Sequence, residues 1–154
     1  MPLNYHLRTV HADDLPDLRL SCWAHHTSHQ SADLLRMILK AQTDGRGVGV
    51  VAQSNSDHAL IAYGQRLKLS QCHEISNLFV IPQQRGQGIG TALIRYLLAN
   101  LADDVAIEIG VSAANTQARA LYQRLGFTEH YRLSLDLGHG TETVIYLHCL
   151  TPLH

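Results

Sequence analysis

The chain has 154 residues, enough for one domain with a sizeable core. Hydrophobic residues make up 45% and charged residues 16%, which excludes a disordered chain, and no apolar run approaches the roughly 20 residues that span a bilayer. A formal net charge of −1, without a lysine/arginine cluster, argues against nucleic acid or an anionic membrane as a partner.

In chain order, MPLNYHLRTVHADDL shows no basic stretch followed by an apolar one, so no secretory signal is expected. Within it, YHLRTV (5–10) alternates as a strand does. ADDLPDLRLSCWAHH follows with acids in its first turn, as a helix N-terminus favours. SADLLRMILKAQ (31–42) reads as a second helix, with Ser31 as its cap and Leu34, Leu35, Ile38 and Leu39 on one face. VGVVAQ and ALIAYGQRLKL are β-rich runs split by the turn-like SNSDH, which predicts a hairpin. HEISNLFVI is another strand, ended by Pro82. Gly86, Gly88 and Gly90 then fall within five residues. Leu93, Ile94, Leu97, Leu98 and Leu101 follow with a helical period. VAIEIGV (105–111) alternates as a strand. NTQARALYQRLG carries Ala118, Leu121, Tyr122 and Leu125 at helical spacing and stops at Gly126. FTEHYRLSLDL and ETVIYLHCL close the chain as a hairpin across GHGT. The order β-α-α-β-β-β-α-β-α-β-β, without a repeat or linker, predicts one α/β domain of the α+β type over residues 1–154 with a mixed sheet.

The three cysteines, Cys22, Cys72 and Cys149, are far apart and form no C-x-x-C pair. Neither a disulfide framework nor a thiolate zinc site is expected, and a reducing cytoplasm is the expected location. Eleven histidines is a high count, and HHTSH puts His25, His26 and His29 together. Without an H-E-x-x-H motif no metal is expected there, and the cluster reads as an exposed helix end.

Glycines at a strand-to-helix seam have two readings: a tight turn, or backbone bared for a ligand. A helix N-terminus leaves its first N–H groups unpaired and carries partial positive charge. Glycines let that backbone approach an anion closely, and a pyrophosphate is a natural guest. The dinucleotide fingerprint G-x-G-x-x-G fails here, because the third glycine position holds Thr91 or Leu93. No Gly-Lys-Ser/Thr follows, so the phosphate loop of nucleotide hydrolases fails too.

LFVIPQQRGQGIGTAL resembles the acyl-CoA signature of the GNAT superfamily of N-acyltransferases, in which a Val-x-Pro-type strand end leads to Arg/Gln-x-x-Gly-x-Gly/Ala. Arg85, Gly88 and Gly90 fill those places. Asn115, Ala118, Leu121, Tyr122 and LGF (125–127) resemble the family's second block at the usual spacing, and the element order matches across nearly the whole chain. The resemblance implies a single GNAT-like domain whose central, mostly antiparallel mixed sheet is flanked by helices. It implies acetyl-CoA as acyl-donor cosubstrate, gripped at its pyrophosphate by Arg85, Gly86, Gln87, Gly88, Ile89, Gly90 and Thr91. The backbone of Leu78, Phe79 and Val80 would pair with the pantetheine arm, and Asn115 would contact that arm. The implied partners are acetyl-CoA and an amine acceptor, and the resemblance leaves room for a homodimer.

Acetyl transfer to an amine makes three demands. The amine must lose a proton, because an ammonium with a pKa of roughly 10.4 cannot attack. The oxyanion at the thioester carbonyl needs a donor. The leaving thiolate gains from an acid. By the resemblance Tyr122 is the acid, and Asn115, seven residues earlier, shares its helix face. Tyr122 on the apolar stripe is also readable as a core aromatic, and Asn115 as a helix cap. Glu74 is the base candidate. On an unbroken strand it shares a face with Ser76, Leu78 and Val80, although a solvated strand-end carboxylate is the alternative. Some relatives carry the base five residues before the second-block asparagine, where this chain has Gly110. Glu108 points the same way by parity but lies deeper in its strand, and His73 faces oppositely to Glu74.

By the resemblance, the first two helices and the last hairpin shape the acceptor pocket, and they offer Trp23, His25, His26, His29, Tyr131 and His139. These fit a small amine, an amino-acid-like acceptor or a peptide N-terminus; no acidic patch for polyamines is visible. An N-acetyltransferase for a small primary amine is the leading expectation. Acetylation of a protein N-terminus or lysine, and a non-catalytic acyl-CoA sensor, are the alternatives.

Overall fold

Alternating and β-branched runs become seven strands, and the periodic runs become four helices. The computed structural model describes residues 3–136, 138 and 140–153. His139 lies outside the described residues, as does Leu137. By their contacts the residues group into two compact units, Met1–Lys68 with Asn77–Ala99, and Leu69–Ser76 with Asn100–His154.

The first unit holds β1 (Tyr5–Thr9), α1 (Leu15–Leu20), α2 (Ser28–Thr43), β2 (Gly47–Ser54), β3 (Leu60–Lys68), the second half of β4 (His73–Val80) and α3 (Ile89–Leu98). β1 and β3 flank β2, both antiparallel to it. β2 and β3 are buried along most of their length, because helices cover both faces. Val51 and Tyr63 pack with Leu35, Ile38 and Ala41 of α2. The neighbouring pair, Val50 and Gly64, points to the other face, where a Cβ on Gly64 would stand 3.4 Å from Leu97 of α3. Burying Leu35 and Ile38 contributes roughly 1.5–3 kcal/mol each.

Two helix starts differ from the sequence reading. α2 begins at Ser28 and is capped by Thr27, whose Oγ1 accepts from Gln30 N at 3.0 Å while Gln30 Oε1 accepts from Thr27 N at 2.9 Å. This reciprocal box outcompetes Ser31, which lies fully buried inside the helix. The first helical run is a short 3₁₀ turn (Ala12–Asp14) and then only Leu15–Leu20. Asp14 anchors that start: its carboxylate takes two hydrogen bonds from Arg8, at 2.8 and 2.9 Å, and one from His11 N at 2.8 Å.

The second unit holds the first half of β4, β5 (Ala106–Ser112), α4 (Thr116–Arg124), β6 (Thr128–Asp136) and β7 (Thr141–Leu150). β4 pairs with β5 in parallel, placing Glu74 opposite Glu108 and Ile75 opposite Ile109. β7 lies antiparallel between β5 and β6. Ile107, Ile109 and Val111 are buried while Glu108 and Gly110 take the other face, the alternation that a half-covered sheet produces. With β4 continuing through both units, the seven strands make the mixed, mostly antiparallel sheet of an α/β fold.

Candidate functional site

In the first unit the apolar strand β4 runs out at Ile81, whose N–H bonds to Ile61 O at 2.9 Å, and Pro82 opens a single 3₁₀ turn. Gly86 (φ 77°) and Gly88 (φ 84°) then adopt the left-handed conformation that a side chain disfavours. A Cβ built on either would meet nothing within 4 Å. These two glycines therefore serve backbone conformation, not tight packing, and the space above them is open. Gly88 is the N-cap of α3 and offers no side chain to its first N–H groups. Gly90 lies inside the helix, and the Ile89 side chain is buried, so only their backbone can serve a ligand. The result is a short run of open backbone, Gly86 to Thr91, that leads into the positive end of α3.

Arg85 stands at the entry to that run. Its Nε donates to Val80 O at 2.9 Å, and its guanidinium lies 5.4 Å from the centre of the Phe79 ring. The Val80 carbonyl, on the expected pantetheine track with Leu78 and Phe79, thus already accepts one hydrogen bond. Phe79 packs against the α2-side core, and Leu78 reaches the opposite side near Gly64. Between the halves of β4, Asn77 has φ 53°. That left-handed residue breaks the alternation, so the shared face expected for Glu74, Ser76, Leu78 and Val80 does not carry across residue 77.

Of the aromatic residues expected to line an acceptor pocket, Trp23 is instead core. It is 2% exposed and packs edge-on against Tyr63 at 4.9 Å. His25 and His26 lie with ring centres 4.3 Å apart, and His25 is 6.0 Å from Phe79. His29 is exposed and pairs with Asp33 at 3.2 Å. Among the described residues no group of three or more metal-ligating side chains forms a metal site.

In the second unit Asn115 caps α4, its Oδ1 accepting from Ala118 N at 3.1 Å. Tyr122 is 7% exposed, packs edge-on with Phe127 at 6.2 Å, and has its phenol pushed up to about 12 by burial. It is thus a protonated phenol that shares in the core.

Glu74 sits in a richer setting than the sequence revealed. Glu108 Oε2 accepts a hydrogen bond from Tyr131 Oη at 3.1 Å and lies 2.7 Å from His148 Nε2. His130 stacks on His148 at 4.0 Å, and Tyr131 stacks on Tyr146 at 4.7 Å. The ring of Tyr146 occupies the space Gly110 leaves, since a Cβ there would come within 3.0 Å of it. Burial, and then the charge of Glu108, raise the pKa of the Glu74 carboxyl. The register confirms that His73 faces away from Glu74, with Ile107 as its partner. Tyr146 and His148 were missed in the sequence. Their alternation with Ile145 and Leu147 was visible, but the pairing that sets His148 opposite Glu108 was not. His148 also joins this cluster to a pocket of about 420 Å³ lined with Ala106, Leu125, Thr128, Cys149 and Pro152.

Comparison with known proteins agrees with this geometry. The family profile described as "Acetyltransferase (GNAT) family" matches residues 5–127. An uncharacterized N-acetyltransferase of Mycobacterium tuberculosis is 33% identical over 108 residues, covering 69% of this chain and 62% of that protein. A mycothiol acetyltransferase of Rothia mucilaginosa is 33% identical over 149 residues, covering 82% of this chain and 42% of that protein. The chain thus spans about six tenths or less of the length of these curated relatives. Among solved structures, a spermidine N-acetyltransferase from Vibrio cholerae in complex with CoA and spermine superposes with a TM-score of 0.72 at 20% identity, covering 96% of this chain and 95% of the other. A dodecameric spermidine N-acetyltransferase from the same organism reaches 0.74 at 18% identity, covering 96% and 94%. A glycine-turned loop feeding an uncapped helix, within this order of strands and under a profile covering most of the sequence, places the chain in the GNAT acetyltransferase family.

Proposed function

We propose that this protein transfers the acetyl group of acetyl-CoA to a primary amine of a small molecule or amino-acid-like acceptor, its two units acting as one GNAT-like domain over residues 1–154. The observation that carries the reading is the loop from Gly86 to Thr91, where two left-handed glycines leave bare backbone in front of an uncapped helix. That arrangement suits a pyrophosphate, with backbone N–H groups and the helix dipole meeting its charge and Arg85 at the entry. Gln87 lies exposed at its crest. The backbone of Leu78 and Phe79 holds the pantetheine arm, and Asn115 contacts it at the start of α4.

The chemistry then needs a base and an acid. Glu74, with its raised proton affinity, takes the proton from the acceptor ammonium directly or through water. The neutral amine attacks the thioester carbonyl, the tetrahedral oxyanion collapses, the C–S bond breaks, and the second nitrogen proton passes through water to restore the Tyr122 phenol once it has protonated the thiolate. The Tyr122 phenol gives its proton to the leaving thiolate. Three free thiols and a near-neutral charge support a cytoplasmic protein with neither nucleic acid nor membrane as partner. A homodimer is compatible with the exposed edge strand β6.

A thiol-release assay with acetyl-CoA and an amine panel tests this reading. The panel includes spermidine, amino acids, aminoglycosides and peptides with free N-termini or lysines. Acetyl-CoA-dependent thiol release with a small amine supports the reading. Release with peptides alone moves the acceptor to protein N-termini or lysines, and CoA binding without release marks a sensor.

A further inference from the structure

We propose that Glu108 is a positioning residue for Glu74: fixed in place by Tyr131 and His148, it sets a negative charge against Glu74 from the adjacent strand and so favours that carboxyl as the proton acceptor. The proposal rests on Glu74 being the proton acceptor of the acetyl transfer.

The geometry begins with strand register. Glu74 and Glu108 are direct partners in the parallel β4–β5 pair. Neighbouring strands lie about 4.8 Å apart, and partner side chains leave the sheet on the same face. Their carboxyls therefore share one small region. An isolated pair of flexible glutamates would swing apart into water. Glu108 is prevented from doing so, because one oxygen, Oε2, takes the Tyr131 hydroxyl at 3.1 Å and faces His148 Nε2 at 2.7 Å. Its side chain is only 12% exposed. The two holders are themselves fixed, Tyr131 against Tyr146 and His148 against His130, by the stacked rings of the last hairpin. β6 and β7 thus brace Glu108 beside Glu74.

Among the described residues of its unit, the titratable groups around this pair are Cys72 just before β4, Tyr131 and His130 on β6, and Tyr146 and His148 on β7. None of these tyrosines or the cysteine carries positive charge in any state, so among the described groups the histidines oppose the repulsion. His148 is bonded to Glu108 itself. Like charge from Glu108 adds to burial in raising the proton affinity of Glu74. A general base works best when its pKa approaches the working pH, which makes this repulsion useful for catalysis.

The test is a carboxyl NMR titration of the whole protein, with the Glu74 resonance assigned through Glu74→Gln. The midpoint of Glu74 should move to lower pH in Glu108→Gln and stay close to its original value in Glu108→Asp, which keeps the charge. In the unmodified protein the same midpoint should fall as salt is raised, because Glu74 is only partly buried and screening weakens the repulsion it feels. A Glu74 midpoint unchanged in folded Glu108→Gln overturns the proposal. Should that variant not fold, a salt-independent midpoint in the unmodified protein overturns it. These readings need no substrate, so they stand apart from the acetyl-transfer assay. Where transfer is measured, the acidic limb of kcat/KM should follow the Glu74 midpoint downward in Glu108→Gln. A limb that stays in place while the NMR midpoint moves shows that Glu74 is not the base, and overturns the positioning role in catalysis.

Discussion

At the scale of single residues, Tyr122 is a core aromatic to which the proposed mechanism gives a second role as acid. Its ring belongs to the core beside Phe127, and burial keeps its phenol protonated. Tyr122→Phe removes only the oxygen, so the packing survives. Its kcat should fall by about 10²-fold, the lower part of the range for general acids, because a thiolate leaves fairly well unaided. Melting temperature and CoA affinity should hardly change. A wild-type kcat across the pH range would make Tyr122 a core aromatic alone. Burial, and then the charge of Glu108, raise the pKa of Glu74, so the acidic limb of kcat/KM should lie above that of an ordinary glutamate. Glu74→Gln should remove that limb and depress kcat/KM most at low pH, which a pH–rate profile of the variant checks. The aromatic and acidic residue types were readable in the sequence. The partners of Glu108 were not, since Tyr131 and His148 come from strands more than twenty residues away and their register includes a bulge between Glu129 and Tyr131.

At the scale of elements, most strands and helices were legible because periodicity reports burial, and the alternation fails in β4 where Asn77 turns left-handed. Boundaries were less legible where two capping residues compete. Thr27 caps α2 through a reciprocal box with Gln30, whereas Ser31, the cap read from sequence, bonds back to Thr27 O at 3.0 Å from inside the helix. Thr27→Ala should cost about 1 kcal/mol of stability in chemical denaturation. The start of the preceding turn depends on Asp14. Burial opposes its charge, but hydrogen bonds from Arg8 and His11 N and the charge of Arg8 outweigh that, so its pKa is lowered. A carboxylate whose folded pKa is depressed stabilises the fold above its unfolded value, and that stability is lost as pH falls through the folded value. Asp14→Asn should therefore lower the melting temperature at neutral pH, with the gap to the unmodified protein closing in acid. A constant gap at all pH values would assign the loss to packing instead. The β4 bulge was legible only as a condition on the alternation, because nothing in SNLF states that Asn77 takes a positive φ.

At the scale of the whole molecule, the proposed reaction draws on the glycine loop, the Glu74 carboxyl and the Tyr122 phenol. The glycine loop was legible because its purpose is backbone freedom, which only one residue type supplies. The acceptor was not, because Trp23 turned inward and the remaining histidines and tyrosines recognise many amines. The central claim is that CoA seats its pyrophosphate on Gly86–Thr91, and calorimetric titration of CoA tests it most directly. Gly88→Glu confounds charge with strain at a left-handed residue. Gln87→Glu is the better variant, because Gln87 is exposed and the change adds only negative charge to the crest of the loop. CoA should bind the unmodified protein, and Gln87→Glu should weaken it about tenfold or more, a loss of roughly 1.4 kcal/mol. The effect should shrink as salt is raised. Equal affinity of both proteins for CoA at low salt, or no binding to either, would contradict the account.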